Sequence, residues 1–341
     1  MRRTGNNIKV LSSQLASQID IHKLTGGIIP EIAAREHVTA IQAMLPAIKK
    51  TDVDYIAVTV GPGLQPALSI GVTTAQTLSY AWKKPIIPIH HLEGHIYSAL
   101  LSSANISDLR FRISDFRQSW PVLALIVSGG HTMLVEVRGH LNYKIIGSTR
   151  DDAAGEAFDK VARLIDLPYP GGPAISKLAK EGNPKAFNFS RPMIKSKDFE
   201  FSFSGLKTEI FYTLKDIASL SSNKNTKKIN LPPKTKADLA ASFQQAVIDT
   251  LVTKTIKAAQ VLNPKTILLA GGVAANHNLR EQLHNKCKQE KIALLTAPQP
   301  LCGDNAIMIG LAAAFAIDAN RFTNWQKIDS QARISLEEFS V

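Results

Sequence analysis

Two histidines four residues apart are the first feature of the sequence that could support chemistry. His91 and His95 belong to the run HHLEGH at residues 90–95, which follows an apolar stretch. If this run begins a helix, both side chains lie on one face, about 5–6 Å apart at Cβ, and can share one ion. Neutral imidazoles are common ligands of zinc and iron. The alternative is a helix end whose histidines only cap and pack, because two ligands do not make a metal site.

Three other polar residues extend this hypothesis. Asp304 precedes an apolar helical pattern, so it is either an N-cap or an oxygen ligand that completes a two-His-one-carboxylate site. Asn276 follows a strand and two glycines, and is either an N-cap or an amide that binds a hydroxyl group. Asp159, within a third helical pattern, could line a pocket.

The elements that must position these residues alternate between strand and helix. Continuous apolar runs typical of buried parallel strands occupy 54–60, 85–89, 122–127, 266–270 and 292–296, and a further strand is predicted at 133–137. Helical spacing predicts helices at 32–48, 67–82, 92–101, 153–165, 174–180, 237–262, 277–290 and 306–317. Polar segments at 105–119 and 219–236 are interpreted as an inter-lobe connection and a flexible loop. The pattern predicts an α/β protein.

Three glycine-rich loops follow predicted strands, at residues 61–63, 129–130 and 271–272. Backbone N–H groups in such loops can face a phosphate, although each loop could equally be a tight turn. Three of them in one chain favour a nucleotide in a cleft between two α/β lobes. None matches the P-loop or the Rossmann fingerprint. The predicted chemistry is a phosphate cradle beside a His-His-Asp ion, which could act as Lewis acid and template.

Composition limits the cellular setting. The 341 residues are enough for two lobes, and a net charge of +12 favours a polyanion such as nucleic acid or, alternatively, a solvated basic surface. Cys287 and Cys302 form no CxxC motif, which favours a reducing compartment. The sequence has neither an apolar run of about 18–20 residues nor a secretory signal. We expect a cytoplasmic protein without membrane contact, with the mitochondrion as the alternative location.

Motifs along nearly the whole chain resemble those of one family. In order they are GG…PE…R…H (26–37), GPGL (61–64), HLEGH (91–95), VSGGHT (127–132), DDAAGEAFDK (151–160), YPGGP (169–173), FSFSGLKT (201–208), AGGVAAN (270–276) and DN (304–305). Together these motifs resemble the tRNA N6-adenosine threonylcarbamoyltransferase family, formerly named glycoproteases. The resemblance runs from about residue 11 to about residue 316.

The resemblance implies a two-lobed actin/hexokinase/acetate-kinase-like (ASKHA) α/β fold with a nucleotide cleft. We place the N-terminal lobe at 1–115 plus 300–320, the C-terminal lobe at 116–299 and a tail at 321–341. The implied reaction moves a threonylcarbamoyl group from threonylcarbamoyl-AMP, an ATP-derived substrate, to N6 of the adenosine beside the anticodon, in tRNAs that read codons beginning with adenine. The implied partners are tRNA, a smaller paralogue of the same fold and an ATPase.

The resemblance also implies the site residues. His91, His95 and Asp304 would hold one divalent metal, usually given as iron, with zinc or magnesium as alternatives. The adenylate would bind to the loop of Val127, Ser128, Gly129, Gly130 and His131, and to Asp159, Gly172 and Asn276. No residue is identified as a general base.

The sequence departs from the family at its start. The family opens with a strand and turn that read roughly G-I-E-[ST]-S-C-D-[DE]-T, and residues 1–9 contain no such motif. Because this strand is internal to the first lobe's sheet, we expect an incomplete phosphate cradle, from a late start or a compromised member of the family. A smaller departure, Gln65-Pro66-Ala67 after the GPGL loop, should be tolerated.

Three other functions fit parts of the pattern. A metal-dependent endopeptidase of the His-Glu-x-x-His type needs Glu directly after the first histidine, and Leu92 stands there. A small-molecule kinase is possible on the same superfold, because fold does not fix function. A non-catalytic protein that binds tRNA or the paralogue is the third alternative.

Overall fold

The computed structural model describes residues 1–101, 110–112, 120–220 and 231–339. Their strands are β1 (Arg2–Thr4), β2 (Asn7–Lys9), β3 (Ile56–Gly61), β4 (Ile86–His90), β5 (Arg110–Arg112), β6 (Val122–Val127), β7 (Thr132–Gly139), β8 (Asn142–Ser148), β9 (Thr266–Ala270) and β10 (Ala293–Thr296). The helices are α1 (Ile19–Thr25), α2 (Pro30–Met44), α3 (Gln65–Trp82), α4 (His91–Ala99), α5 (Ala154–Leu164), α6 (Gly171–Ala179), α7 (Ser204–Leu220), α8 (Pro233–Leu262), α9 (His277–Gln289) and α10 (Ala306–Asp318). The predicted α/β class is confirmed.

The largest sheet has the strand order β10-β9-β6-β7-β8. Strands β10, β9 and β6 are parallel, and β7 and β8 continue the sheet antiparallel. Side chains alternate between its two faces. Leu123 and Leu125 pack in the core formed with α5–α9, whereas Ala124 and Ile126 pack in a second core with α4 and α10. Burial on both faces explains why β6 is apolar throughout.

Two smaller sheets lie beyond α4 and α10. Strands β3 and β4 are parallel, and α3 packs against them through Val72 and Ala75. Strands β1, β2 and β5 form an antiparallel sheet. The ion pair between Arg3 and Asp318, at 2.7 Å, joins this sheet to the end of α10. Among the described residues, no strand pairing connects β1-β2-β5 to β3-β4.

The predicted strands and helices are confirmed, with shifts of a few residues at their ends. Helix α6 begins three residues earlier than predicted, at Gly171, and α8 begins at Pro233, because proline suits the first turn of a helix. Helix α1 and strands β1, β2, β5 and β8 were not predicted. Of the predicted connection at 105–119 only residues 110–112 are described, as a strand. The predicted flexible loop at 219–236 is too long, because residues 219–220 end α7 and residues 233–236 begin α8; residues 221–230 lie outside the described part. No helix in the described ranges has the length and apolarity that crossing a membrane requires.

Candidate metal centre and adenylate site

The first turn of α4 is fixed by a reciprocal cap. The backbone N–H of Leu92 donates to His90 Nδ1 at 3.2 Å, and the N–H of His90 donates to a carboxylate oxygen of Glu93 at 3.3 Å. This capping box starts the helix directly after β4. His91 and His95 therefore point from the same face, with ring centroids 4.8 Å apart.

The carboxylate of Asp304 completes a triad with these two imidazoles. Its Oδ1 lies 3.4 Å from His91 Nε2 and 3.3 Å from His95 Nε2. One ligand atom from each residue lies within 4.8 Å of the others. Ligand atoms held about 2.0–2.1 Å from one tetrahedral ion lie about 3.3 Å apart, and both distances from Asp304 to the histidines are close to this value.

Two neighbouring contacts leave the triad available for an ion. The N-cap of α10 is Asn305, whose Oδ1 accepts from Met308 N at 2.9 Å, so the N-cap alternative for Asp304 is wrong. His95 is fully buried; within the described residues its Nδ1 has no hydrogen-bond partner, and its Nε2 faces the Asp304 carboxylate at 3.3 Å. Burying an imidazole with so few partners is costly unless something else binds it. These residues therefore fit a metal ion.

The protonation states suit the same role. Burial lowers the pKa of His95, and Asp304 opposes that shift. Burial, followed by the charges of His91 and His95, lowers the pKa of His131 to about 4. Desolvation would raise the pKa of Asp304, but hydrogen bonds and charge from the two histidines hold it well below its usual range. At neutral pH the site therefore offers an anionic carboxylate at Asp304 and the lone pair of a neutral imidazole at His95.

The predicted adenylate loop is the turn between β6 and β7. Ser128 N donates to His131 O at 2.8 Å, and His131 N donates to Ser128 Oγ at 3.1 Å. Gly129 and Gly130 at its tip are exposed, and a Cβ on either would meet no atom within 4 Å. The turn is therefore tight at its base and open on the side where a phosphate could approach.

Helices α5 and α6 extend the site from the turn at residues 128–131. Gly155 N donates to Ser128 O at 3.2 Å, which seats the first turn of α5 against the loop. One helical turn later, Asp159 accepts from Gly171 N at 2.7 Å, and burial raises its pKa. The adjacent Gly172 has open space where a side chain would project.

Asn276 closes the arrangement from the other side. Its Oδ1 accepts from Leu279 N at 3.0 Å, and its amide donates to Ser176 Oγ at 2.9 Å and to Gln244 Oε1 at 2.8 Å. It is therefore an N-cap, and both amide hydrogens have partners. Gly271, at a φ of 91°, approaches Val127 so closely that a Cβ would lie 2.4 Å from the Val127 carbonyl oxygen. The residues predicted to bind the adenylate are thus linked by contacts. These run from Val127 through α5 and α6 to Asn276, and return to Val127 through Gly271 at the end of β9.

Known proteins of one family match most of this chain. The family model for tRNA N6-adenosine threonylcarbamoyltransferase matches residues 9–311. The chain belongs to this family. A member from Moorella thermoacetica is 45% identical over 317 residues, which cover 91% of this chain and 86% of the relative. A member from Thermosipho melanesiensis is 43% identical over 336 residues, covering 97% and 94%.

Solved structures of HypF are similar in fold. The chain superimposes on HypF in the phosphate- and nucleotide-bound form with a TM-score of 0.52 and 14% identity, covering 77% of this chain and 39% of that one. For HypF from T. kodakarensis the TM-score is 0.54 and the identity 12%, covering 82% and 43%. The chain thus spans less than half of either HypF chain, and the likeness concerns the fold alone.

The endopeptidase alternative finds no support in the comparisons or in the geometry. Glu93, the glutamate between the two histidines, is fully buried and accepts hydrogen bonds from Arg321 at 2.9 and 2.6 Å. A carboxylate in this position cannot activate water at the triad. No local sequence signal singled out Arg321, because its partner lies 228 positions away.

Proposed function

We propose that this threonylcarbamoyltransferase transfers the threonylcarbamoyl group of threonylcarbamoyl-AMP to N6 of the adenosine beside the anticodon, in tRNAs that read codons beginning with adenine. The observation that carries the proposal is that the triad of His91, His95 and Asp304 lies within electrostatic range of His131, the last residue of the glycine turn. Family membership along residues 9–311 supports the reaction.

The proposed architecture is a two-lobed ASKHA fold with the substrate between the lobes. Residues 1–115 plus 300–320 would form the N-terminal lobe, 116–299 the C-terminal lobe, and 321–341 a segment that follows them. The likeness to HypF and the two cores on either side of the large sheet support this division.

One divalent metal per chain, with iron first and zinc or magnesium as alternatives, would be held by His91 Nε2, His95 Nε2 and Asp304 Oδ1. When bound, such an ion supplies positive charge to phosphate oxygens. The chemistry of the donor set, two imidazoles and one carboxylate, supports iron or zinc over magnesium, which prefers oxygen ligands. The full burial of His95 supports a fixed orientation of its ring.

The adenylate would lie across the loop from Val127 to His131, with Asp159, Gly172 and Asn276 around it. Backbone N–H groups of Gly129 and Gly130 would donate to the phosphate, which stabilises the negative charge of the departing AMP. Asp159 accepts a hydrogen bond from Gly171 N and would accept another from a nucleoside hydroxyl group. Asn276 would not contact the adenylate with its amide hydrogens, because both already have protein partners. It would instead hold Ser176 and the start of α9 in place beside the adenylate.

In the reaction, the N6 amine of the tRNA attacks the carbamoyl carbon. The bond from that carbon to the phosphate oxygen breaks, AMP leaves with the electron pair, and the N6 proton passes to the released phosphate or to water. Holding the two substrates in this geometry provides proximity and orientation, which account for much of such an acceleration.

The implied partners find support on the surface. The net charge of +12 suits tRNA. Several apolar side chains before and along α1 and α2 are exposed, and the smaller paralogue would cover them: Leu11, Leu15, Leu24, Ile28 and Val38. An ATPase would complete the assembly.

The test is transfer from threonylcarbamoyl-AMP to an unmodified tRNA, with the paralogue and ATPase added. His91→Ala should lose both bound metal and transfer while keeping its circular dichroism spectrum. Full activity of this variant would refute the role of the triad.

A further inference from the structure

Glu93 lies between the two histidines of the triad but on the other side of α4. Residues two positions apart in a helix point in nearly opposite directions, so its side chain faces the protein interior. It is fully buried, and its two carboxylate oxygens accept hydrogen bonds from Arg321, Oε1 from Nη1 at 2.9 Å and Oε2 from Nη2 at 2.6 Å. The same carboxylate accepts from His90 N at 3.3 Å. Glu93 therefore bonds both to the first turn of its own helix and to a residue after α10.

Arg321 is itself held in place at the end of α10. Its backbone N–H donates to Ala316 O at 2.8 Å. Its Nη1 also donates to Phe339 O at 3.2 Å, and its guanidinium carbon lies 4.6 Å from the Phe339 ring centroid. The side chain is only 12% exposed. The position of Arg321 is thus fixed relative to α10, the helix that begins two residues after Asp304.

The triad depends on the relative position of these two helices. Helix α4 supplies His91 and His95, and the residues before α10 supply Asp304. Where the helices touch, Gly94 meets the flexible side chains of Met308 and Ile309. Such an apolar contact is non-directional, so it limits sliding weakly. A bidentate pair between arginine and carboxylate has a defined geometry.

We propose that Glu93 and Arg321 are positioning residues that hold the histidines of α4 in register with Asp304, and so set the affinity for the metal. Neither residue touches the ion or the substrate. The inference rests on the proposed metal site. Residues that orient metal ligands typically change metal affinity by about 10- to 100-fold when they are altered.

The experiment measures Co²⁺ binding to the full chain by absorbance titration, in the wild type, Arg321→Lys, Glu93→Gln and the double variant. Lysine keeps the charge but loses the bidentate geometry. The matched control is Arg191→Lys, because Arg191 makes a similar pair with Asp249 at 2.7 and 3.0 Å, away from the triad. Thermal unfolding of every variant is recorded alongside.

We expect each single variant to bind Co²⁺ at least about tenfold more weakly, with an altered visible spectrum, and the control to bind like the wild type. Because the two residues act as a pair, the double variant should lose little more than either single one. Wild-type Co²⁺ affinity in folded Arg321→Lys and Glu93→Gln, or equal losses in the control, would overturn the positioning role. A wild type that binds no Co²⁺ at the triad would instead overturn the proposed metal site, and this inference with it.

Discussion

Gly155→Ala should damage the adenylate site through a single added methyl group. A Cβ at this position would lie 2.5 Å from Ser128 O, 2.8 Å from Gly129 Cα and 2.9 Å from Gly129 N. All three atoms belong to the backbone, so no rotation of a side chain can relieve the contact. The turn at residues 128–131 has to move relative to α5.

The size of the effect follows from these distances. Restoring an ordinary contact of 3.4 Å to Ser128 O requires a displacement of about 0.9 Å. A misplacement of about 1 Å can reduce the rate about 100-fold, which corresponds to about 2.7 kcal/mol of transition-state stabilisation. Crowding of this kind typically lowers stability by about 1–3 kcal/mol, which the fold should survive.

The assay compares kcat/KM for transfer from threonylcarbamoyl-AMP to tRNA, together with the thermal midpoint. Gly71→Ala is the matched control: it is the same substitution within α3, where the nearest atom to the new Cβ is Val58 Cγ2 at 3.7 Å. We expect the control to keep full activity and to gain about 0.5–1 kcal/mol of stability. If folded Gly155→Ala transfers within twofold of the wild type, the turn does not bind the phosphate as argued.

Four further outcomes are expected. Asp304→Asn removes the charge of the third ligand and should weaken Co²⁺ binding at least about tenfold, measured by titration; unchanged affinity would exclude Asp304 as a ligand. Burial raises the pKa of Cys287 from 9.0 to about 11, so its thiol should react with a chromogenic disulfide only after unfolding. Between about pH 9 and 11 the folded chain keeps the thiol proton of Cys287 while the unfolded chain loses it. The free energy of unfolding, measured by chemical denaturation, should therefore fall as the pH rises over this range; a rise would contradict the raised pKa of Cys287. Leu24→Glu, at a side chain 89% exposed, should change stability by less than about 0.5 kcal/mol yet weaken binding of the paralogue in size-exclusion chromatography; unaltered binding would place the interface elsewhere.

The elements that position the site could be predicted because their signals are local. The runs that became β6 and β9 are apolar at every position except Thr266, since both faces of the sheet are covered. Likewise, a spacing of four placed His91 and His95 on one face of α4. The role of Asp304 could not be decided from the sequence, because two polar residues precede α10 and only the structure distinguishes the cap, Asn305, from the free carboxylate.

What remained hidden depends on contacts between distant parts of the chain. The pairing of Arg321 with Glu93 leaves no pattern near either residue. Helix α1 is short and its core contact is a single buried histidine, His22, so its apolar periodicity is weak. Asn276 was correctly expected at the start of α9, but its contacts with Ser176 and Gln244 require the packing of α6 and α8.

The motif HLEGH at residues 91–95 can now be assigned position by position. The two histidines face Asp304, and Leu92 packs in the core shared with α10. Gly94 permits the close approach of α10, since a Cβ would lie 2.9 Å from Met308 Cγ. Glu93 is used for the pair with Arg321 rather than for chemistry at the triad. A metallopeptidase needs its glutamate free beside the metal, whereas here Glu93 links α4 to a residue that follows α10. Because both arrangements keep two histidines four residues apart, that spacing alone could not distinguish a peptidase from a transferase.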